Sequence, residues 1–317
     1  MAEINSDINK AKALLDADNL IGFPTETVYG LAGNSLKAEV VSKIFEVKNR
    51  PHFDPLILHS YSLEAISQYV KEIPDKAKLL AKAFWPGPLT ILLERNNKIP
   101  DLTCSGLERA AFRIPKHPKA LSLLKILDYP LAAPSANPFG YISPTNSQHV
   151  QQQLGDKIPF ILEGEISEVG IESTIVGFEN EETIIYRLGG LEVDKIEKII
   201  GKVKVLPHSS SKPNAPGMLK SHYAPRKNII LGDIEELIKQ KDEIKLGVLS
   251  FSKSYKDVVM SLVLSESKNM HEAAKNLFSH LRKLDESNVD LIITEKVPSE
   301  GLGKAINDRL QRAAVKE

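Results

Sequence analysis

Between residues 20 and 60 the chain gathers side chains able to hold an anion and a small polar molecule. In PTETVYGL, Thr25, Glu26 and Thr27 lie between Pro24 and Gly30, so two hydroxyls and a carboxylate share one loop. Lys48 and Arg50 follow in KNRP, then Asp54, then His59 at the end of PLILH. Two cations beside a hydroxyl-rich turn suit phosphate or carboxylate binding. A basic pair at a helix end is also accounted for by the negative end of the helix dipole. Farther along, Arg109 and Arg113 sit on the mostly apolar stretch RAAFRI, where a buried guanidinium needs a paired partner. Ser135 and Asn137 follow a short apolar run in PSAN, and Ser143, Ser173 and Arg187 also lie at the edges of apolar segments. Spacing alone supports an anion-binding α/β protein.

The elements that would position these groups are legible from periodicity. Leu20–Phe23, stopped by Pro24, reads as a buried strand. Val40, Val41, Ile44, Phe45 and Val47 recur at helical spacing, giving a helix capped by Ser35 and ended at Lys48-Asn49-Arg50-Pro51. Leu56–Leu58 is a strand delivering His59. A first helix over 6–18 is expected with Ser6 as its cap, and another helix is expected to start at Ser143-Pro144-Thr145. Strands and helices then alternate irregularly to about residue 206. Residues 207–225, rich in Ser, Pro and Gly, read as a linker. Beyond it β and α alternate, with a last helix over 303–314. The fold class is α/β with an α+β-like first domain: a twisted mixed sheet flanked by helices over 1–206, the linker, and a small Rossmann-like α/β domain over 226–317.

Composition removes several classes. With 42% hydrophobic and 26% charged residues and formal net charge +0, the chain resembles an ordinary soluble globular protein, without the excess of basic residues of a nucleic-acid-binding domain. The single cysteine, Cys104, excludes an internal disulfide framework and fits a reducing compartment. No apolar run reaches the length of a membrane span and the N-terminal stretch lacks a signal-peptide core, so a cytoplasmic protein is expected. HExxH, GxGxxG and GxxxxGK[ST] are absent, no metal cage is visible, and no Ser-His-Asp arrangement can be argued.

Taken together, PTETVYGL, KNRP and PLILH, with WPGPLT, APGMLKSHYAP and GLGKAINDRLQRAA, resemble the YrdC-domain family, in particular its two-domain members, the threonylcarbamoyl-AMP synthases. The resemblance covers nearly the whole chain. It implies an enzyme, a nucleotidyltransferase, that joins L-threonine, bicarbonate and ATP into threonylcarbamoyl-AMP and pyrophosphate for threonylcarbamoyladenosine in tRNA. It also implies Mg²⁺ accompanying ATP, and tRNA or threonylcarbamoyl-transferase proteins as partners. Carried over by position, Thr27, His59, Arg113, Ala133 and Ser173 face threonine. Lys48, Arg50, Asp54, Arg109, Ser135, Asn137, Ser143, Arg187 and Tyr223 face ATP, with Lys48 and Arg50 neutralising its phosphates. The linker, with Pro216-Gly217-Met218 and His222-Tyr223, would close over bound nucleotide. Two positions depart from the family pattern. Asp54 stands where asparagine is common, either as a magnesium ligand or as a partner of Arg50, and Arg109 stands where a smaller hydroxyl residue occurs. The competing readings are a non-catalytic double-stranded RNA-binding module, and carbamoyl transfer of the hydrogenase-maturation kind, whose zinc-finger segment one cysteine cannot supply.

Overall fold

The first strand hairpin explains how the organising stretch folds. Ile21–Phe23 is buried throughout, Pro24 ends it, and the chain returns antiparallel as Gly30–Asn34 with Ile21 opposite Ala32. This return strand was not expected from the sequence, because GLAGN carries two glycines and no alternation to mark it. The computed structural model describes residues 1–180, 182–206, 215–216, 222–240 and 244–315. Gly217 and Met218 of the expected closing segment therefore lie outside the described residues.

Two sheets result. The first comprises β1 (Glu3–Asn5), β2 (Ile21–Phe23), β3 (Gly30–Asn34), β4 (Ile57–His59), β5 (Leu89–Glu94), β6 (Arg109–Arg113), β7 (Leu131–Ala132), β8 (Phe160–Leu162), β9 (Thr174–Glu179), β10 (Glu182–Arg187) and β11 (Lys204–Val205). Their spatial order is β1-β8-β2-β3-β7-β4-β6-β5-β9-β10-β11, with parallel and antiparallel neighbours mixed. The second sheet, β12 (Asn228–Leu231), β13 (Leu246–Ser250), β14 (Met260–Val263) and β15 (Leu291–Thr294), runs β12-β15-β13-β14 and is parallel throughout. Helices α1 (Ile8–Asp16), α2 (Ala38–Lys48), α3 (Leu63–Ser67), α4 (Asp75–Phe84), α5 (Pro118–Ile126), α6 (Ser147–Leu154) and α7 (Val193–Ile200) accompany the first sheet in sequence. Helices α8 (Ile234–Lys239), α9 (Met270–Glu286) and α10 (Gly303–Ala314) accompany the second.

Three helix starts differ from expectation, two of them because a nearer side chain reaches the free N–H groups. Asp7, not Ser6, caps α1, accepting from Asn9 and Lys10. Helix α2 starts after Lys37 with no side-chain cap, while the Ser35 hydroxyl donates to the Pro130 carbonyl at 2.7 Å. Helix α6 begins at Ser147 with Asn146 as its cap, which leaves Ser143 in a loop. The end of α2 is as expected: Asn49 adopts the left-handed conformation (φ 51°), turning the chain so that Arg50 points inward.

One apolar cluster joins the two sheets' domains. Val28, Ile142 and Ile171 of the first pack with Tyr223 against Leu277, Phe278 and Leu281 of α9. Gly170 (φ 76°) sits where the first domain comes close to α9; a Cβ there would lie 2.4 Å from the Lys275 Cα and 2.6 Å from the Ala274 carbonyl oxygen. Both backbones would have to separate to admit a methyl group. Gly170→Ala should therefore lower stability by about 1–3 kcal/mol, read from the midpoint of urea unfolding, and an unchanged midpoint would contradict this close approach.

Candidate functional site

Strand register brings the polar groups into line. At the ends of adjacent strands His59 lies opposite Arg113, Arg113 opposite Thr90, and Leu89 opposite Thr174. The loop after β2 and the one before β9 then carry Thr25, Thr27, Glu172 and Ser173 over this row. Between them is a cavity of about 50 Å³, lined also by Arg50, Ala133, Ser135, Arg187, Pro216, His222 and Tyr223.

Each cation has an identifiable set of acceptors. Arg113 donates through Nη1 to Thr27 Oγ1 at 2.7 Å and through Nε to the Gly87 carbonyl at 3.3 Å, and its Nη2 lies 2.8 Å from Glu26 Oε1. Arg187 donates to the Ser173 carbonyl (3.0 Å), the Ser173 hydroxyl (3.1 Å) and the Pro216 carbonyl (3.4 Å). The Ser173 hydroxyl is also 2.7 Å from Thr90 Oγ1. Arg50 pairs with Asp54 at 2.9 Å and donates to the Asp54 and Pro55 carbonyls. Asp54 is thus an ion-pair partner of Arg50 in this structure. Lys48 is 1% exposed and its ammonium donates to the carbonyls of Ser135 and Asn137, bracing the PSAN loop from behind. Burial, with Arg50 close by, holds the Lys48 amine well below the usual lysine range.

The expected residues divide accordingly. Thr27, His59, Arg113, Ala133, Ser173, Arg50, Ser135, Arg187 and Tyr223 line one cavity. Lys48, Asp54 and Asn137 form the layer behind it, and the Asn137 amide donates to the Pro138 and Tyr141 carbonyls. Arg109 is not brought to the cavity; it pairs with Glu179 at 2.8 Å and donates to the Tyr186 hydroxyl at the far end of β6. Arg109 and Arg113 lie four residues apart on a five-residue strand, so they stand at its opposite ends. Ser143 donates to Glu172 Oε1 at 2.5 Å. Glu172, Thr25 and His222 also line the cavity without having been assigned to it, and the ES pair ahead of β9 was the available sign for Glu172.

Tyr223 closes the wall on the side of the second domain. It is 1% exposed, in the left-handed backbone region (φ 66°), with its ring 5.5 Å from Phe278. The Arg309 and Arg312 guanidinium groups of α10 lie 5.0 and 4.8 Å from its ring centre. Cys104 is buried away from the cavity, its thiol pushed up to about 12 by burial, so it is an inert core residue.

Relatives place this architecture. A family model described as "Telomere recombination" (Sua5/YciO/YrdC) matches residues 13–189, and one described as the C-terminal domain of threonylcarbamoyl-AMP synthase matches 191–315. The fold is that of a two-domain YrdC-type protein. The threonylcarbamoyl-AMP synthase of Pyrococcus abyssi is 40% identical, covering 97% of this chain and 94% of that protein, and that of Bacillus subtilis is 37% identical, covering 97% and 92%. The structure of P. abyssi Sua5 complexed with L-threonine superposes with a TM-score of 0.92 at 39% identity, covering 97% of this chain and 94% of the other. Escherichia coli YciO (TM-score 0.53, 19% identity, 60% of this chain) shares the fold of one part. The chain belongs to the threonylcarbamoyl-AMP synthase family. It is an enzyme, a nucleotidyltransferase serving tRNA modification.

Burial gives the site a pH dependence. His59 is fully enclosed beside Arg113, and desolvation followed by the Arg113 charge holds its pKa at about 3. Its unfolded counterpart takes up a proton near the ordinary histidine value, so between that value and about 3 the unfolded chain binds more protons. Stability contributed here is present above the unfolded pKa and is lost as pH falls. His59→Gln should flatten the fall in unfolding free energy below pH 6.5 by up to about 1.4 kcal/mol per pH unit. Urea titrations at pH 4.5 and 7.5 read this; parallel profiles for both proteins would refute it.

Proposed function

We propose that this cavity binds L-threonine and ATP together and makes threonylcarbamoyl-AMP and pyrophosphate from threonine, bicarbonate and ATP. The observation carrying this reading is that two arginine clusters, Arg113 with Thr27 and Glu26 and Arg187 with Ser173, line one small space with Arg50. A guanidinium carries five N–H donors. Arg113 donates to Thr27 and Gly87 and is ion-paired with Glu26 without a hydrogen bond, leaving N–H groups of its fork for an amino-acid carboxylate. Thr27, His59 and Ser173 supply polar contacts around the amino acid, with Ala133 as an apolar wall.

In the reaction the threonine amine takes up CO₂ and loses a proton to become a carbamate. A carbamate oxygen then attacks the α-phosphorus of ATP, and the bond from that phosphorus to the bridging oxygen breaks, releasing pyrophosphate. Such a transfer depends on positioning and on cations over the phosphates more than on a covalent nucleophile. Arg50 and Arg187 are the cavity's cations for that task, and Ser135 and Ser143 are hydroxyls for phosphate or ribose. Lys48 and Asn137 act indirectly, by fixing the loop that carries Ser135. No group of three or more His, Cys, Asp or Glu side chains among the described residues could hold a metal. Mg²⁺ brought by ATP would be held by phosphate oxygens and water, neutralising phosphate charge.

A space of about 50 Å³ holds a few water molecules, so ATP enters when part of the wall moves. Pro216, His222 and Tyr223 belong to the interdomain segment and are the wall that can do so, excluding water from a hydrolysable adenylate once closed. The product serves threonylcarbamoyladenosine formation, which makes tRNA and the transferase that consumes the adenylate its partners, in the cytoplasm. No helix among the described residues is long and apolar enough to cross a membrane.

The direct test is mass-spectrometric detection of threonylcarbamoyl-AMP from purified protein, ATP, threonine and bicarbonate, with pyrophosphate release depending on both threonine and bicarbonate. Release without threonine would refute the assignment. Arg113→Lys should weaken threonine binding by about 10–100-fold while changing ATP binding far less, read by titration calorimetry. Equal losses for both ligands would remove Arg113 from the amino-acid half.

A further inference from the structure

A carboxylate in a pocket that takes a triphosphate is an electrostatic liability unless its charge is cancelled. Glu172 is such a group: it is 6% exposed and lines the cavity. Its two oxygens have different partners. Oε1 accepts from the Ser143 hydroxyl at 2.5 Å, and Oε2 accepts from both Nε and Nη2 of Arg309 at 3.1 Å. Arg309 belongs to α10 of the second domain, and its side chain is fully buried. Its remaining Nη1 donates to the Leu188 carbonyl and to Asp308, both at 2.7 Å. The guanidinium is therefore fixed from three sides, and its position fixes Glu172.

We infer that Arg309 is a positioning residue for the nucleotide half of the site: it neutralises Glu172, so that this carboxylate holds Ser143 in place and does not repel the phosphates. The inference rests on the reading of the cavity as the ATP site. It gives the second domain a defined part in a reaction whose other groups come from the first domain and the segment between them. A salt bridge serving only to dock the domains would have no reason to act on ATP and spare threonine. A charge-cancelling role makes that distinction, and it further requires that removing the carboxylate relieve the loss of the cation.

The test is ATP binding by titration calorimetry, without threonine, on full-length protein shown by thermal melting to be folded at the assay temperature. R309M should weaken ATP binding by at least about tenfold, with threonine binding changed less than about threefold. Adding E172Q to R309M should restore ATP binding to within about threefold of wild type. Equal weakening of both ligands, or a double variant no better than R309M, overturns the inference. If R309M does not fold, R309K, which keeps the charge, is compared with R309Q, which keeps a donor without it. Binding retained in the first and lost in the second supports the inference, and equal binding overturns it. A wild-type chain that binds no ATP overturns the nucleotide reading itself, and the inference with it.

Discussion

Keeping four cations nearly out of water around one cavity is the constraint that the fold answers. Lys48, Arg50, Arg113 and Arg187 are each less than a tenth exposed. Isolated charges at such depth would each cost several kcal/mol. The cost is offset mainly by main-chain carbonyls that no longer belong to a sheet or helix ladder: those of Pro55, Gly87, Ser135, Asn137 and Ser173 all point at a guanidinium or ammonium. Two carboxylates, Glu26 and Asp54, complete the balance. Strand ends are where such carbonyls are available, which is why the site sits at the termini of β4, β6 and the loops before β5 and β9.

The two halves of the molecule meet around the same charges. Arg282 of α9, 1% exposed, donates to the carbonyls of Ile142 and Ser143 and to Gln153. Gly170 allows α9 to approach the loop that leads to Glu172. Tyr223 is packed from one side by Phe278 and flanked by two arginines of α10. The loops bearing Ser143 and Glu172 thus rest on a support in another domain and gain from it a rigidity their own sequence does not provide.

Much of this was legible in the sequence, for reasons that can be named. Helical periodicity located α2, α9 and α10, and hydroxyls, cations and family strings identified nine residues that line the cavity. What the sequence could not supply is direction. Lys48 and Arg50 flank one turn, yet the left-handed Asn49 sends one behind the PSAN loop and the other into the cavity. Arg109 and Arg113 share a strand, and only its length places them at opposite ends. Ser143 looked like a helix start because proline and threonine follow it, but Asn146 competes better for the free N–H groups of α6. Glu172 has one local sign, the ES pair ahead of β9, but its partners Ser143 and Arg309 are distant in the chain and no sequence spacing joins them to it.

The order of strands in the larger sheet sets how the chain reaches this state. β1 at Glu3–Asn5 and β2 at Ile21–Phe23 both pair with β8 at Phe160–Leu162, and β5 pairs with β9 at Thr174–Glu179. On a ribosome, the earliest strands emerge long before their neighbours exist. Contacts so distant along the chain form slowly and leave unpaired edges exposed meanwhile. The second sheet draws all four strands from 228–294, so its pairing of Asn228 with Leu291 spans less chain than that of Glu3 with Phe160. Synthesis therefore delivers the sheet with the longest-range pairings first and the one with shorter-range pairings last, so the domain that braces the cavity forms against a partner that has had the longer time to assemble.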